Sequence, residues 1–170
     1  MVNNRSDFSS FTEDKVFLTC WIAFLALMLI FFSGIFIAPI LVRLGADRIA
    51  EVLYKIYRIS CHQLPSRSWL VCGNKMGVCV RCFSIYLFLI ISGFALLFKG
   101  IRIWLLQKRF LRFVLPVFIL LLSPLLIDGF IQLFTSWESN NFLRFLTGAF
   151  SGIGTSFILG YLVLRVANSN

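Results

Sequence analysis

The chain has 170 residues, 59% of them hydrophobic and 14% charged, with 16 Lys and Arg against 7 Asp and Glu for a net charge of +9. That apolar share excludes an ordinary soluble domain and points to an integral membrane protein. The charges fall mostly between apolar runs, so the positive excess reads as Lys and Arg flanking spans and meeting anionic lipid headgroups. It does not read as a nucleic-acid surface, because no soluble domain is left to carry one.

Residues 1–15 are polar and mixed in charge, which predicts a short, loosely ordered N-terminal tail. Residues 16–42 carry no charge. A helix crosses the hydrocarbon core in about 20 residues, so this run spans it with length to spare for tilt. It is about twice as long as a signal-peptide core, and Pro39-Ile40-Leu41-Val42 offers no small-residue cleavage site, so it reads as a retained helix. Cys20 in its first turns reads as a small buried hydrophobe.

Residues 46–59 place Ile49, Val52, Leu53, Ile56 and Tyr57 at helical spacing, with Asp47, Arg48, Glu51, Lys55 and Arg58 on the other side. This predicts an amphipathic helix lying in the interface or packed on the bundle. Residues 60–82 form a Cys/His loop, in which Pro65, Gly73 and Gly77 break regularity and Trp69-Leu70-Val71 are apolar enough to dip into the interface. A second span over 78–98 is long enough only if it includes Cys79 and Cys82, which puts that pair in the first turn of a membrane helix.

Residues 99–112 read as a compact, acid-free basic loop. The third span, 111–134, contains Pro116, Pro124 and the one acid within any span, Asp128. A polar turn over 135–141 leads to the fourth span, 142–164, and a C-terminal tail, 165–170. The expected fold class is thus all-α integral membrane. A single membrane domain, 16–164, holds four transmembrane helices, an interfacial amphipathic helix and a Cys/His-rich interfacial loop. Gly148 and Gly152, four apart, let helices approach closely, either within the chain or at a homo-oligomer face.

Lys and Arg counts on the two sides of such a topology tie. The acid-free basic loop is the cleaner retention signal, so the termini are expected on the cytoplasmic side of the cell membrane and the Cys/His loop outside. The same topology gathers the loop, the end of the third span and the start of the fourth at one face. Asp128 lies about 9 Å deep there, six residues before Phe134, with Gln132 four residues on. Asn141 and Arg144 open the fourth span. An ionisable group inside a span faces the bundle or a cavity. Arg144 is the expected counter-ion of Asp128, with Arg67 and Arg81 as alternatives; a clasp that only fixes helix packing is the other reading of the pair.

The stretch 61–82 holds four of the five cysteines and the sole histidine: Cys61-His62-Gln63, Pro65, Arg67-Ser68, then Cys79-Val80-Arg81-Cys82. With Ile85-Tyr86, Pro124, Asp128-Gly129, Gln132, Asn141, Leu143-Arg144, Thr147-Gly148 and Gly152, the chain resembles a family of small bacterial and archaeal multi-pass membrane proteins catalogued as a domain of unknown function. The resemblance covers about residues 58–154. It departs at Ser84, where the family carries Gly, and at Cys72, which looks private to this chain. It supports the site and implies no activity.

Three readings of the cluster stay open. In the first, Cys61, His62, Cys79 and Cys82 hold a metal ion. Three thiolates and an imidazole complete a tetrahedral zinc set, and soft ligands also suit copper or iron. Neighbouring side chains seldom bind one ion together. If only one of Cys61 and His62 does, the fourth ligand comes from Cys72, Asp128 or solvent, and an open position would allow catalysis. In the second, Cys79 and Cys82 at a helix N-terminus form a thiol–disulfide pair, with Cys61 as partner cysteine, relaying electrons to a quinone. In the third, the cluster is a structural staple in a transporter or scaffold subunit with a membrane-protein partner. The metal reading leads, because His62 has no role in a simple relay and Asp128 reaches the same face. Arg67, Arg81, Asp128, Gln132, Asn141 and Arg144 are the expected surrounding shell. Cys79, Cys82 and Asp128 are the catalytic candidates should the protein be an enzyme. Ser66 and Ser68 read as loop caps.

Overall fold

The computed structural model describes residues 4–168, with side chains from residue 15 onward. The chain is built of helices: α1 (Asn4–Arg43), α2 (Asp47–Arg58), α3 (Val80–Ala95), α4 (Lys99–Leu106), α5 (Leu115–Phe134) and α6 (Asn141–Ala167). A two-stranded antiparallel hairpin, β1 (Leu70–Val71) with β2 (Asn74–Lys75), interrupts the loop between α2 and α3. Helix α1 starts at Asn4, so most of the expected loose tail is helical; residues 1–3 and 169–170 lie outside the described residues.

Among the described residues, three helical stretches are long and apolar enough to cross a membrane: Lys15–Arg43, Phe110–Phe134 and Asn141–Ala167. The expected second span is different. Its helix is Val80–Ala95, and the chain then turns by 95° into Lys99–Leu106. The two pieces pass as a span only when taken together. The supposed basic loop is therefore partly helix. Ile101, Trp104 and Leu105 sit at i, i+3 and i+4; Leu105 is fully buried, whereas Ile101 and Trp104 are exposed. Buried Arg102 donates to the carbonyls of Leu96 (3.2 Å) and Leu97 (2.6 Å), satisfying orphan acceptors at the end of α3. The density of Lys and Arg masked this short amphipathic helix in the sequence.

Helix α6 is the packing centre, and α3 lies against it with almost no side chain between them. A Cβ on Gly148 would collide with the Arg81 carbonyl and the Ser84 hydroxyl, and one on Gly152 with the Ile85 carbonyl. Ser84, fully buried, turns its hydroxyl back onto the Arg81 carbonyl (2.9 Å), which lets it sit where a glycine was expected. The two glycines thus have an intramolecular partner in α3. Nearly all of α5 faces outward, as does Cys20 on α1, which is exposed rather than buried.

A second close approach fixes the loop. Pro39 has no N–H, so the Ile35 carbonyl four residues earlier lacks its helical donor. The Gly77 N–H donates to that carbonyl at 3.1 Å. A Cβ on Gly77 would lie 3.2 Å from the Ile35 Cα and 3.1 Å from the Tyr57 ring, so glycine permits the contact. Asn74 Nδ2 adds a bond to the Pro39 carbonyl (3.3 Å), and the Tyr57 hydroxyl donates to the Phe31 carbonyl (2.5 Å). Tyr57 and Ala50 are the buried residues of α2, whereas Ile49, Val52 and Ile56 are exposed. The apolar stripe is wider than its docking contact, as expected for a helix with lipid on its outer side.

The α3–α6 contact predicts a direct mutational contrast. Gly152→Ala should destabilise the protein by about 1–3 kcal/mol through overpacking against backbone. Gly100→Ala, with nothing within 4 Å of the added methyl, should not destabilise it. Thermal unfolding in detergent micelles checks both.

Candidate metal centre and its arginine surround

Gln63 sets the loop that delivers Cys61. It sits in the left-handed region at φ 52°, an uncommon backbone state for a residue other than glycine. Its buried side chain holds it there. Nε2 donates to the Tyr54 carbonyl at the end of α2 (2.7 Å) and to the Gly77 carbonyl ahead of α3 (2.8 Å). Lys75 Nζ caps the Gln63 carbonyl at 3.3 Å. Ser68 Oγ donates to the Leu64 carbonyl (3.0 Å), bearing out its reading as a loop cap. Gln63 was visible as part of the Cys-His-Gln run, but its orienting role was not. Its signal was a buried-capable amide directly after the ligands.

This turn brings Cys61 to the start of α3. The ligand atoms of Cys61, Cys79 and Cys82 all lie within 4.8 Å of one another, the one such group of His, Cys, Asp or Glu among the described residues. Cys61 Sγ accepts from two backbone N–H groups, Cys79 at 3.1 Å and Gln63 at 3.4 Å. Cys79 stands immediately ahead of α3, and Cys82 lies in its first turn. Cys82 Sγ faces the Ser60 carbonyl at 3.9 Å, and the Tyr86 hydroxyl donates to Ser60 Oγ (3.1 Å).

The Cys79 thiol is held far below its ordinary range. The Cys61 and Cys82 thiols hydrogen-bond to it, and the N–H groups of Cys82 and Arg81 at the helix start add to the effect. The Cys61 thiol is pushed up, chiefly because it shares its proton with Cys79. All five cysteines are free thiols.

His62 is exposed and stands outside the thiol group, although it lines the adjoining cavity. Adjacent side chains of an irregular loop point apart, and the expected four-ligand set becomes three thiols. Cys72, exposed at φ 53° in the hairpin turn, is not a fourth member.

Asp128 is buried and accepts from three donors. Arg81 ion-pairs with it, Gln132 Nε2 donates at 2.8 Å, and Ser139 Oγ at 3.3 Å. The counter-ion is therefore Arg81, one of the alternatives, and not Arg144. Arg81 comes from the first turn of α3 between the two cysteines, where the helix points it across to α5. Gln132 Nε2 also meets Ser139 Oγ at 3.0 Å, so the turn before α6 joins the network. Ser139 was missed because nothing distinguishes it from the other polar residues of that turn. Arg67 pairs with Glu138 at 3.0 Å, and buried Arg144 bonds Asn141 Oδ1 at 3.1 Å.

Beside the thiols lies a cavity of about 290 Å³. Cys61, Cys79 and Cys82 line it together with Arg67, Arg81 and Arg144; the loop residues Ser60, His62, Gln63 and Leu64 complete it. Three close thiols beside an open space can hold one soft metal ion and leave a coordination position free.

The chain is thus a helical membrane protein with a cysteine cluster at one end of its bundle. It belongs to the family described as "Predicted membrane protein (DUF2085)", which matches residues 61–158. An uncharacterised protein of Methanocaldococcus jannaschii is 36% identical over 153 residues, 85% of this chain and 90% of the relative. An uncharacterised protein of Methanothermobacter thermautotrophicus is 35% identical over 113 residues, 65% of this chain and 96% of the relative. No solved structure matches the chain. The matched region starts at Cys61 and includes every thiol of the cluster together with Asp128 and Arg144.

The Asp128–Arg81 pair predicts an asymmetry between single and double variants. Arg81→Leu strands a buried carboxylate and should cost about 3–5 kcal/mol. Adding Asp128→Leu should recover much of that loss. A double-mutant cycle on thermal unfolding in detergent measures the coupling. Gln63→Ala, which removes two bonds that tie α2 to α3, should cost about 1–3 kcal/mol in the same assay.

Proposed function

We propose that Cys61, Cys79 and Cys82 bind one soft metal ion, zinc first and copper or iron next, at one membrane face. The fourth position opens towards the cavity. The carrying observation is the mutual approach of the three thiols within 4.8 Å. A tetrahedral zinc with Zn–S bonds of about 2.3 Å needs sulfurs roughly 3.8 Å apart, a spacing that small side-chain rotations supply. Backbone N–H groups aimed at the Cys61 sulfur favour a thiolate ligand there. His62 then serves at the cavity mouth rather than in the ligand set. Arg81, held by Asp128, offsets the charge of three thiolates.

Counting the bent pair α3–α4 as one crossing gives four crossings, with both termini on one side. The acid-free cations of residues 99–112 favour the cytoplasm for that side, which puts the thiols outside. An outward face also supports a second reading, a thiol–disulfide relay to a quinone. The observation in its favour is the lowered Cys79 thiol with both Cys61 and Cys82 in reach.

Elemental analysis of the protein purified in detergent separates the two readings. The metal reading expects about one ion per chain, lost in Cys61→Ser, Cys79→Ser and Cys82→Ser and kept in Cys20→Ser and Cys72→Ser. A metal-free protein whose Cys79 and Cys82 become oxidised by added quinone would overturn the metal reading and carry the relay instead. Alkylation of the exposed Cys72, in a Cys20→Ser background, by a membrane-impermeant maleimide applied from one side of sealed vesicles tests the orientation.

A further inference from the structure

The cavity beside the thiols has more positive charge than its own residues answer. Arg67 has Glu138 and Arg81 has Asp128. Among the described residues, Arg144 has no carboxylate within ion-pair distance; its acceptor is the neutral Asn141 Oδ1. Arg144 is only 4% exposed and faces the cavity, where water can meet its N–H groups but brings no negative charge. Among the described residues, its Nε and Nη2 are buried without an acceptor, and so are Arg67 Nε and Arg81 Nε. These four donor atoms belong to three guanidiniums that line one cavity, and they come from three elements: the loop turn Pro65–Arg67, α3 and α6.

A buried guanidinium retains a large desolvation cost unless an acceptor meets it. A metal ion on the thiols is bound by sulfur and offers at most the one oxygen of a solvent ligand, too few for four donor atoms on three guanidiniums. The missing partner carries negative charge and oxygens on more than one side, because the donors arrive from three directions. Planar guanidinium forks match phosphate-type oxygens in pairs. The volume of about 290 Å³ is ample for such a group.

We infer that this cavity is a binding site for a phosphate-class oxyanion, held on Arg144 with Arg67 and Arg81 beside it. The oxyanion is either free phosphate or the phosphate of an anionic lipid headgroup. The site rests on the guanidiniums alone and stands whether or not the thiols carry metal. It gives Arg144 a role that pairing with Asp128 does not supply.

The test uses the full chain in detergent micelles, with and without a zinc chelator. The thermal unfolding midpoint is read against added inorganic phosphate, with chloride adjusted to hold ionic strength constant. A parallel series uses micelles containing phosphatidic acid, against phosphatidylcholine as reference. The inference expects a saturable upward shift from one of the two, in both chelator conditions. A shift from inorganic phosphate assigns the free ion, and a shift from phosphatidic acid alone assigns the lipid. Arg144→Gln should weaken that binding roughly tenfold to a hundredfold, the range for losing a charge-assisted pair. Should Arg144→Gln fail to fold, Arg144→Lys keeps the charge, loses the fork and should weaken binding about tenfold. Arg109→Gln, in the turn after α4, should bind as the wild type does. No shift from either ligand, or shifts that Arg144→Gln and Arg144→Lys leave unchanged, overturns the site. Because the chelator arms run in parallel, a lost metal site and a lost anion site give different results.

Discussion

A carboxylate buried in a membrane bundle has to be answered by a cation, and the rest of the site follows from how this chain answers Asp128. The cation is Arg81, and Arg81 lies between Cys79 and Cys82. A single ion pair therefore ties α5 to the first turn of α3 and fixes the rotation of α3 that turns its cysteines towards Cys61. Gln132 and Ser139 donate to the same carboxylate oxygen, Oδ2, as Arg81, which draws the turn before α6 into the same network. The pair is thus less a source of net stability than a specification of register.

Backbone contacts make that register possible. Gly148 and Gly152 let α6 touch the α3 backbone at Arg81 and Ile85, one turn from the thiols. At the other side of the site, Pro39 leaves a helix carbonyl without its donor, and Gly77 supplies one two residues before Cys79. Each contact places one flank of the Cys-x-Arg-Cys segment; a Cβ would collide with backbone at Gly148 and Gly152 and would sit tightly, at 3.1–3.3 Å, at Gly77. Gln63 then closes the arrangement by bridging α2 to the backbone at Gly77.

Much of this was legible in the sequence because it depends on composition and spacing. Apolar runs gave the long helices, the 3.6-residue period gave α2, and an acid inside a span announced a buried site at one face. The gathering of the 61–82 loop with Asp128, Gln132 and Arg144 follows from topology alone. What stayed hidden depends on side-chain direction. Arg144 and Arg81 are equally plausible partners of Asp128 until the rotation of α3 is known. His62 cannot be separated from Cys61 as a candidate ligand until the direction of each side chain in the loop is known. The bend after Ala95 was invisible because residues 96–98 are apolar and read as a continuing helix. The short α4 was concealed by the density of cations in and around it, one of which, Arg102, turns inward.

The central claim is that three thiols from two distant segments act as one ligand set, without the histidine beside them. X-ray absorption at the zinc edge of the zinc-loaded protein measures this most directly. The account predicts a shell of three sulfur atoms at about 2.3 Å and one lighter atom, unchanged in His62→Ala. A shell dominated by nitrogen or oxygen, or a loss of one light-atom neighbour in His62→Ala, would contradict it.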